Sequence, residues 1–130
     1  MSDKNINLTN AEWNVMECLW KNKNTPLTSR EIVEELKSTT GWTKSTTLTM
    51  LKRMTQKGYI SFNEDGKVRL YTSCINRNAA VKKETADFLN RVYKGSVSLM
   101  MSAMTKEQDL LPEEIDELYE ILKHSRSKIK

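Results

Sequence analysis

The hydrophobic pattern of this chain changes from a helical to a strand period near residue 58, and that change limits the folds the chain can adopt. Before residue 58, apolar side chains recur every three or four residues, the spacing of one helix face. Beyond it, Tyr59–Phe62 and Lys67–Tyr71 alternate with a period of two, which predicts two strands joined by a turn at Asn63–Gly66. An isolated hairpin is marginal in water. We therefore expect this hairpin to pack on the helices that precede it.

The first two helices are predicted from their N-terminal signals. Thr9 and Glu12, and again Thr28 and Glu31, have the spacing of a capping box, in which the hydroxyl and the carboxylate each accept a backbone N–H. Apolar residues follow each box at helical spacing. Two helices are therefore expected to begin at these boxes.

A third helix is predicted to begin at Thr43 or Lys44 and to end at Gly58, which is suited to a left-handed stop. Three short helices followed by a charged hairpin predict a winged helix-turn-helix over residues 1–75, in a chain that is mainly α with a small β-hairpin. One side of the third helix is expected to pack on the core, and the other to face a groove. The core side is predicted to hold Leu48, Leu51 and Met54, and the groove side Ser45, Thr49 and Lys52.

Residues 76–130 return to a helical pattern. Asn76 or Asn78 would cap the first helix, and Pro112 would occupy the first turn of the last one. These helices carry much apolar surface and have no strand to pack on, so we predict a dimerisation arm. The alternative is a monomeric helical cap on the N-terminal domain. The predicted dimerisation residues are Phe88, Leu89, Val92, Leu99, Met100, Ile115, Leu118 and Leu122.

The residue inventory favours binding over catalysis. The single histidine, His124, cannot form a His-pair metal site, and there is no Cys-x-x-Cys motif. The four glycines stand far apart and cannot form a phosphate-binding loop. We therefore expect no catalytic residues, no metal and no cofactor.

The same inventory predicts a cytoplasmic protein with no membrane insertion. No run approaches the roughly 18 apolar residues of a membrane span, and the N-terminus is polar, unlike a signal peptide. The two cysteines, Cys18 and Cys74, are typical of free thiols in a reducing compartment.

Positive charge and hydroxyl groups are concentrated in one segment. Thr43–Arg69 holds six basic residues against Glu64 and Asp65, a net charge of +4 that equals the net charge of the whole chain. Eight of the twelve residues from Ser38 to Thr49 are serine or threonine. Hydroxyls at the start of a recognition helix can bind phosphates or base edges. We therefore predict a DNA surface that adds Lys67 and Arg69 on the wing, and Thr28 and Ser29 where the second helix begins.

An ordered set of motifs resembles the penicillinase-repressor family of winged-helix regulators, which includes the methicillin-resistance and copper-responsive repressors. The first motif is Ala11-Glu-Trp13-x-Val-Met16 with Trp20, and the second is Trp42-x-x-x-Thr46-x-x-Thr49. The resemblance continues through Arg53, Lys57–Ile60, Phe88–Gly95 and Glu113–Leu118, so that it covers nearly the whole chain.

The resemblance implies a homodimer whose two recognition helices bind a palindromic operator in double-stranded DNA. It also implies which side chains face the DNA. Leu48 is apolar where the methicillin-type relatives have an arginine, so a different operator sequence is expected. The implied contacts are Lys44, Ser45, Thr46 and Thr49, with Arg53, Lys67 and Arg69 near the backbone.

The resemblance says less about the signal that releases the repressor from DNA. In the antibiotic branch a membrane sensor metalloprotease cuts the repressor at an Asn-Phe bond, where this chain has Ser102–Ala103. The copper branch carries a Cys-x-Cys pair near the C-terminus, and this chain has no cysteine after Cys74. The predicted function is a repressor of β-lactamase or other antibiotic-resistance genes. The alternatives are a repressor of the same family that answers another signal such as copper, and a winged-helix adaptor that does not bind DNA.

Overall fold

The computed structural model describes residues 6–22, 25–107 and 109–129. Within these ranges the chain is mainly helical, with a small antiparallel sheet, as the sequence predicts. The elements are α1 (Asn10–Lys21), β1 (Leu27–Thr28), α2 (Ser29–Thr40), α3 (Lys44–Lys57), β2 (Ile60–Asp65), β3 (Val68–Ser73), α4 (Arg77–Tyr93), α5 (Val97–Glu107) and α6 (Pro112–Ser127).

The chain divides into two compact units, Met1–Thr85 and Ala86–Lys130. The first holds α1, α2, α3, the sheet and the first turns of α4. The division falls inside α4 because Ala80, in those first turns, is buried in the core of the first unit. The functional division into a DNA-binding domain over 1–75 and a dimerisation domain over 76–130 stays a prediction.

Both predicted capping boxes are present. The Thr9 hydroxyl accepts from the Glu12 amide at 3.1 Å, and the Glu12 carboxylate accepts from the Thr9 amide at 2.9 Å. Thr28 and Glu31 repeat the arrangement at the start of α2. Each box satisfies amides that the first helical turn leaves without an intrahelical acceptor.

Glycine ends α2 and α3 at the predicted places. Gly41 and Gly58 adopt φ of 78° and 81°, the left-handed region in which a side chain would be strained. The Gly58 amide donates to the Thr55 carbonyl at 3.1 Å and closes the last turn of α3. The chain therefore leaves α3 after Lys57 and enters β2 at Ile60.

The core lies where α1, α2 and α3 pack on one another and on the sheet. Its most deeply buried apolar side chains are Val15, Met16, Ile32, Leu36, Leu51, Met54 and Ile60.

Two features of the sheet differ from the prediction. β1 was not predicted, because two residues after Pro26 are too short to show a period. It adds to the edge of the hairpin, in the order β1-β3-β2. The predicted turn at Asn63–Gly66 is wrong: Asn63 pairs with Leu70 and Asp65 pairs with Val68, so the strands continue to a two-residue turn. Gly66, with φ of 67°, supplies the positive dihedral that such a tight turn needs.

A buried carboxylate joins the start of α1 to the end of α3. The Glu12 side chain is 3% exposed, and its second oxygen accepts from the Lys57 ammonium at 2.5 Å. Burial by itself would raise the pKa of Glu12, but the hydrogen bonds from Lys57 and Thr9 outweigh it, so the pKa is lowered. Without Lys57, the buried Glu12 carboxylate would lack a hydrogen-bond donor for its second oxygen. The bond therefore fixes the end of α3 against α1.

We expect Glu12→Gln to destabilise the fold in a pH-dependent way. A carboxylate whose folded pKa lies below its unfolded value near 4.5 stabilises fully above that pH, and the stabilisation is lost as the pH falls through the folded pKa. The free energy of unfolding of the variant should therefore be about 1–3 kcal/mol lower than that of the wild type at pH 7. This difference should shrink below pH 4.5. Urea unfolding at a series of pH values measures it.

The matched control is Glu34→Gln, which removes an exposed carboxylate from α2. It should follow the wild-type pH dependence. A Glu12→Gln deficit of the same size at pH 7 and at pH 3 would contradict the role given to the ion pair.

Candidate nucleic-acid interface

α3 has one buried side and one exposed side. Leu51 and Met54 are almost completely buried, as predicted, and Thr47 lies beside them at 0% exposure. The opposite side follows the same helical spacing, three or four residues apart. It consists of the exposed residues Ser45, Leu48, Thr49 and Lys52.

The exposure of Leu48 corrects the sequence prediction, which placed this residue in the core. Its side chain is 40% exposed, and the core position goes to Thr47 one residue earlier. Hydrophobicity alone assigned Leu48 to the interior, whereas its spacing from Ser45 and Lys52 was the signal that could have placed it outside. An exposed leucine on this side can contact the methyl group of thymine.

Six of the eight hydroxyl residues from Ser38 to Thr49 fall into three environments. Thr39 and Thr40 donate to backbone carbonyls of α2, so these hydroxyls are used within their own helix. Thr43 caps α3, where its hydroxyl accepts from the Thr46 amide at 3.2 Å and lies 3.0 Å from the Thr46 hydroxyl. Ser45 and Thr49 are exposed. The exposed hydroxyls of α3 thus lie in its first two turns.

Thr47 belongs to none of these groups. Its Oγ1 is fully buried and has no hydrogen-bond partner in the part of the chain that the structure describes. An unsatisfied buried hydroxyl destabilises a fold by about 1–3 kcal/mol. The position needs a small side chain of this shape, and nothing in the structure explains why it carries a hydroxyl.

The N-terminus of α3 adds backbone donors to this surface. The Thr46 and Thr47 amides are bonded to Thr43. Within the described ranges the Lys44 and Ser45 amides make no such bond, because the carbonyls four residues before them lie outside the helix. Helix N-termini of this kind attract phosphate.

The six basic residues of the sequence cluster are not equivalent. Lys57 is held by Glu12, and the Arg69 guanidinium lies 3.9 Å from the Glu64 carboxylate. The four remaining cations make no ion pair among the described residues, and all four are exposed: Lys44, Lys52, Arg53 and Lys67.

The wing presents its charge in two ways. Lys67 stands in the two-residue turn at its tip, exposed to solvent. Arg69 instead stacks on Phe62, with its guanidinium carbon 4.2 Å from the ring centroid. Arg69 is therefore pre-oriented by the ring and by Glu64, whereas Lys67 is free to reach a phosphate.

Thr28 and Ser29 lie at the N-terminus of α2. The Thr28 hydroxyl is engaged in the cap, and Ser29 is half-buried as the first helical residue. Their predicted contact with the DNA backbone stays a prediction, in which Thr28 acts through the helix terminus that it caps.

The Cys18 thiol is buried in the core of the first unit. Burial, and then Glu35, raise the pKa of the Cys18 thiol to about 12, so the thiol is neutral near pH 7. Across the described residues, no three His, Cys, Asp or Glu side chains lie close enough together to hold a metal ion. None of the helices there has the length and apolar character to cross a bilayer.

The second unit has apolar side chains on its surface. α5 and α6 contain no buried residue, and they line an apolar groove of about 490 Å³ that includes Met101, Ile115, Leu118 and Leu122. Of the predicted dimerisation residues, Leu89, Met100 and Leu118 are half-buried, and the exposed ones are Phe88, Val92, Leu99, Ile115 and Leu122.

Three helices, a wing and a basic, hydroxyl-bearing face on the third helix define a winged-helix DNA-binding protein. The penicillinase repressor family model matches residues 8–124, and the chain belongs to that family, whose members are transcriptional repressors rather than enzymes.

Named relatives and solved structures agree with this assignment. The chain is 32% identical to the penicillinase repressor of Bacillus licheniformis, over 95% of this chain and 94% of that protein. It is 31% identical to the methicillin resistance regulatory protein MecI of Staphylococcus aureus, over 94% and 98%.

Two solved structures match somewhat more than half of the chain. The DNA-binding domain of the repressor BlaI matches 55% of this chain and 85% of its own, at 32% identity and a TM-score of 0.50. The monomeric Bacillus licheniformis BlaI in complex with the blaP half-operator matches 57% and 88%, at 31% identity and the same TM-score.

We expect Lys52→Gln to weaken binding to duplex DNA and to lower its salt dependence. Lys52 has no carboxylate partner among the residues that the structure describes, so it is available to replace a counterion at a phosphate. Each lost phosphate contact should reduce the slope of log affinity against log salt by about 1. Fluorescence anisotropy of a labelled duplex between low and moderate salt measures the slope.

The control is Lys21→Gln, which removes the same charge at the end of α1, where Lys21 lies 3.8 Å from Glu35. It should leave the slope nearly unchanged. Equal slopes for Lys52→Gln and Lys21→Gln would mean that only the net charge matters.

Proposed function

We propose that the chain is a dimeric transcriptional repressor that acts in the cytoplasm by occupying a palindromic operator in double-stranded DNA. Its target genes would be β-lactamase or other antibiotic-resistance genes, as the names of the penicillinase and methicillin-resistance relatives suggest. The observation that carries the proposal is the exposed side of α3, with its free cations, hydroxyls and Leu48 backed by a buried side.

The proposed contacts divide by chemistry. Ser45, Leu48 and Thr49 would read base edges in the major groove, because short hydroxyls and an apolar group suit that role. The cations and the capped helix termini would bind phosphates, which position the helix without reading sequence. These positioning residues are Thr28, Ser29, Lys44, Thr46, Lys52, Arg53, Lys67 and Arg69.

The direct test is selection of duplexes from a random library by the full-length chain. The enriched sequences should form two inverted half-sites. With six to eight phosphates neutralised per dimer, log affinity should fall with log salt at a slope of about −5 to −7. If the selection enriches no sequence, and if sedimentation of the chain with duplex leaves the DNA free, the chain is an adaptor instead.

Ser45→Ala with Thr49→Ala should relax this preference. Each lost base contact should reduce discrimination between the selected operator and random duplex by about 1–3 kcal/mol, while the fold is unchanged. The control is Thr55→Ala on the same helix, whose hydroxyl donates to the Leu51 carbonyl and should not affect base preference. Equal weakening on operator and random DNA would show that the hydroxyls bind phosphate.

The dimer is proposed from the second unit. Leu118 lines the apolar groove between α5 and α6, beside exposed apolar residues that a second copy would cover. Joining two weakly binding domains raises the effective concentration of the second at its half-site.

We expect Leu118→Asp to give a monomer by analytical ultracentrifugation and to lower operator affinity by about 10²–10⁴, the range gained by joining two binding modules. Glu117→Asp places the same side chain one residue earlier, at an exposed position, and should remain dimeric. A monomeric Leu118→Asp variant with wild-type operator affinity would refute the dimer proposal.

Release of the repressor would follow damage to the arm. The family resemblance suggests a membrane sensor metalloprotease as a partner, with Ser102–Ala103 as the bond cut. Both residues lie within α5, so the helix would have to unwind before a protease could bind it in an extended form. Because α5 has no buried residue, its local opening requires little loss of packing in the isolated chain.

A further inference from the structure

Three side chains of the β2–β3 hairpin lie one on another, and we call Tyr71, Phe62 and Arg69 the wing stack. In the ladder between β2 and β3, Phe62 pairs with Tyr71, and two residues closer to the turn Glu64 pairs with Arg69. Side chains two residues apart on a strand, and side chains directly opposite each other on paired strands, share one face of a sheet. The wing stack and Glu64 therefore lie on the same face of the hairpin.

The wing stack leads from the core of the first unit to its surface. Tyr71 is 5% exposed and belongs to the core. Phe62 is half-buried and packs against that core, with its ring centroid 5.5 Å from the ring centroid of Tyr71. The Arg69 side chain is 54% exposed, and its guanidinium carbon lies over the Phe62 ring at 4.2 Å from the centroid. A surface charge thus rests on a ring that the core holds in place.

The contact with the ring leaves the hydrogen-bonding groups of Arg69 available. The attraction between a cation and the face of an aromatic ring uses none of the five N–H donors of a guanidinium. Nε of Arg69 lies 3.9 Å from the Glu64 carboxylate, which is too far for a hydrogen bond. Among the described residues, the guanidinium is therefore oriented without a hydrogen bond that a phosphate would have to replace.

The ring accounts for the orientation of Arg69 better than Glu64 does. Both charged side chains are more than half exposed, and an exposed ion pair stabilises little because water and salt screen it. A phosphate that approaches Arg69 would also compete with the Glu64 carboxylate for the same cation. It would not compete with the ring, because the ring contact uses no N–H group.

We propose that Phe62 is a positioning residue: its ring holds the Arg69 guanidinium in the orientation in which Arg69 binds a DNA phosphate. This inference rests on the proposed function, but only on its DNA-binding part, because one wing contacts one half-site. A long side chain that becomes ordered only on binding weakens the complex by about 2- to 10-fold through lost rotamer freedom. The ring orders Arg69 before the DNA arrives and so removes this loss.

The test measures the affinity of the full-length chain for a duplex that carries one half-site of the selected operator. A single half-site engages one wing, and fluorescence anisotropy at fixed salt gives the affinity. Phe62→Leu keeps an apolar side chain but removes the ring, and it should weaken binding by about 2- to 10-fold. Phe62→Tyr keeps the ring face and should stay within about 2-fold of the wild type.

A double-mutant cycle separates positioning from an effect on the fold. In an Arg69→Gln background, Phe62→Leu should change the half-site affinity by less than about 2-fold, because the guanidinium that the ring holds is gone. If Phe62→Leu costs the same with and without the Arg69 guanidinium, the ring acts only through the fold and the positioning role is wrong. Wild-type affinity in Phe62→Leu would also overturn it.

Arg69→Lys gives a second test that leaves the half-buried ring unchanged, since it alters only an exposed side chain. It keeps the positive charge but removes the planar guanidinium that lies over the ring. The slope of log affinity against log salt should therefore stay as in the wild type, while the half-site affinity falls by about 2-fold or more. Wild-type affinity in this variant would show that charge alone matters and would contradict the proposal.

The matched control is Glu64→Gln, which removes the ion pair on the same face of β2 and leaves the ring contact. Its half-site affinity should not fall. A loss as large as that of Phe62→Leu would mean that Glu64, rather than the ring, orients Arg69. These results all leave the DNA-binding function standing, whereas a wild-type chain that binds no duplex would overturn the proposed function and this inference with it.

Discussion

The exposed side of α3, which we propose as the DNA-binding surface, depends on the burial of the opposite side. Leu51 and Met54 are removed from water against α1, α2 and the sheet, and this burial leaves the opposite side exposed along its whole length. Apolar burial is the largest favourable contribution to a small fold. The same packing that stabilises the first unit therefore also orients the hydroxyls and cations of the helix outward.

Electrostatics refines this arrangement because two of the basic side chains are already engaged within the first unit. Lys57 is committed to the buried Glu12, and Arg69 to Phe62 and Glu64, so these side chains hold the end of α3 and the wing in place. In the proposed complex with DNA, the cations without an ion-pair partner among the described residues would bind phosphate, and Arg69 would join them from the orientation that the ring gives it. Net charge alone does not distinguish these roles, because the basic residues look identical in the sequence.

Much of the fold was predictable because its signals are local. The capping boxes at Thr9 and Thr28 need only residues three apart, and the stops at Gly41 and Gly58 need only one residue. Helix and strand periods gave the order of elements for the same reason. The errors arose where the outcome depends on a distant partner: β1 exists only because β3 is beside it, and the hairpin turn is set by the register of the longer ladder.

The candidate site shows the same division. The sequence by itself determined which segment forms α3, that α3 is rich in hydroxyls and positive charge, and that its ends are capped, since these follow from composition and from contacts within a few residues. Only the tertiary structure decided that Leu48 faces outward and Thr47 inward, that Lys57 pairs with Glu12, and that the Trp20 indole donates to the Ile75 carbonyl. Those outcomes depend on how far each helix is rotated against its neighbours and on hydrogen bonds between residues that lie 45 or 55 positions apart in the sequence. No local pattern encodes either.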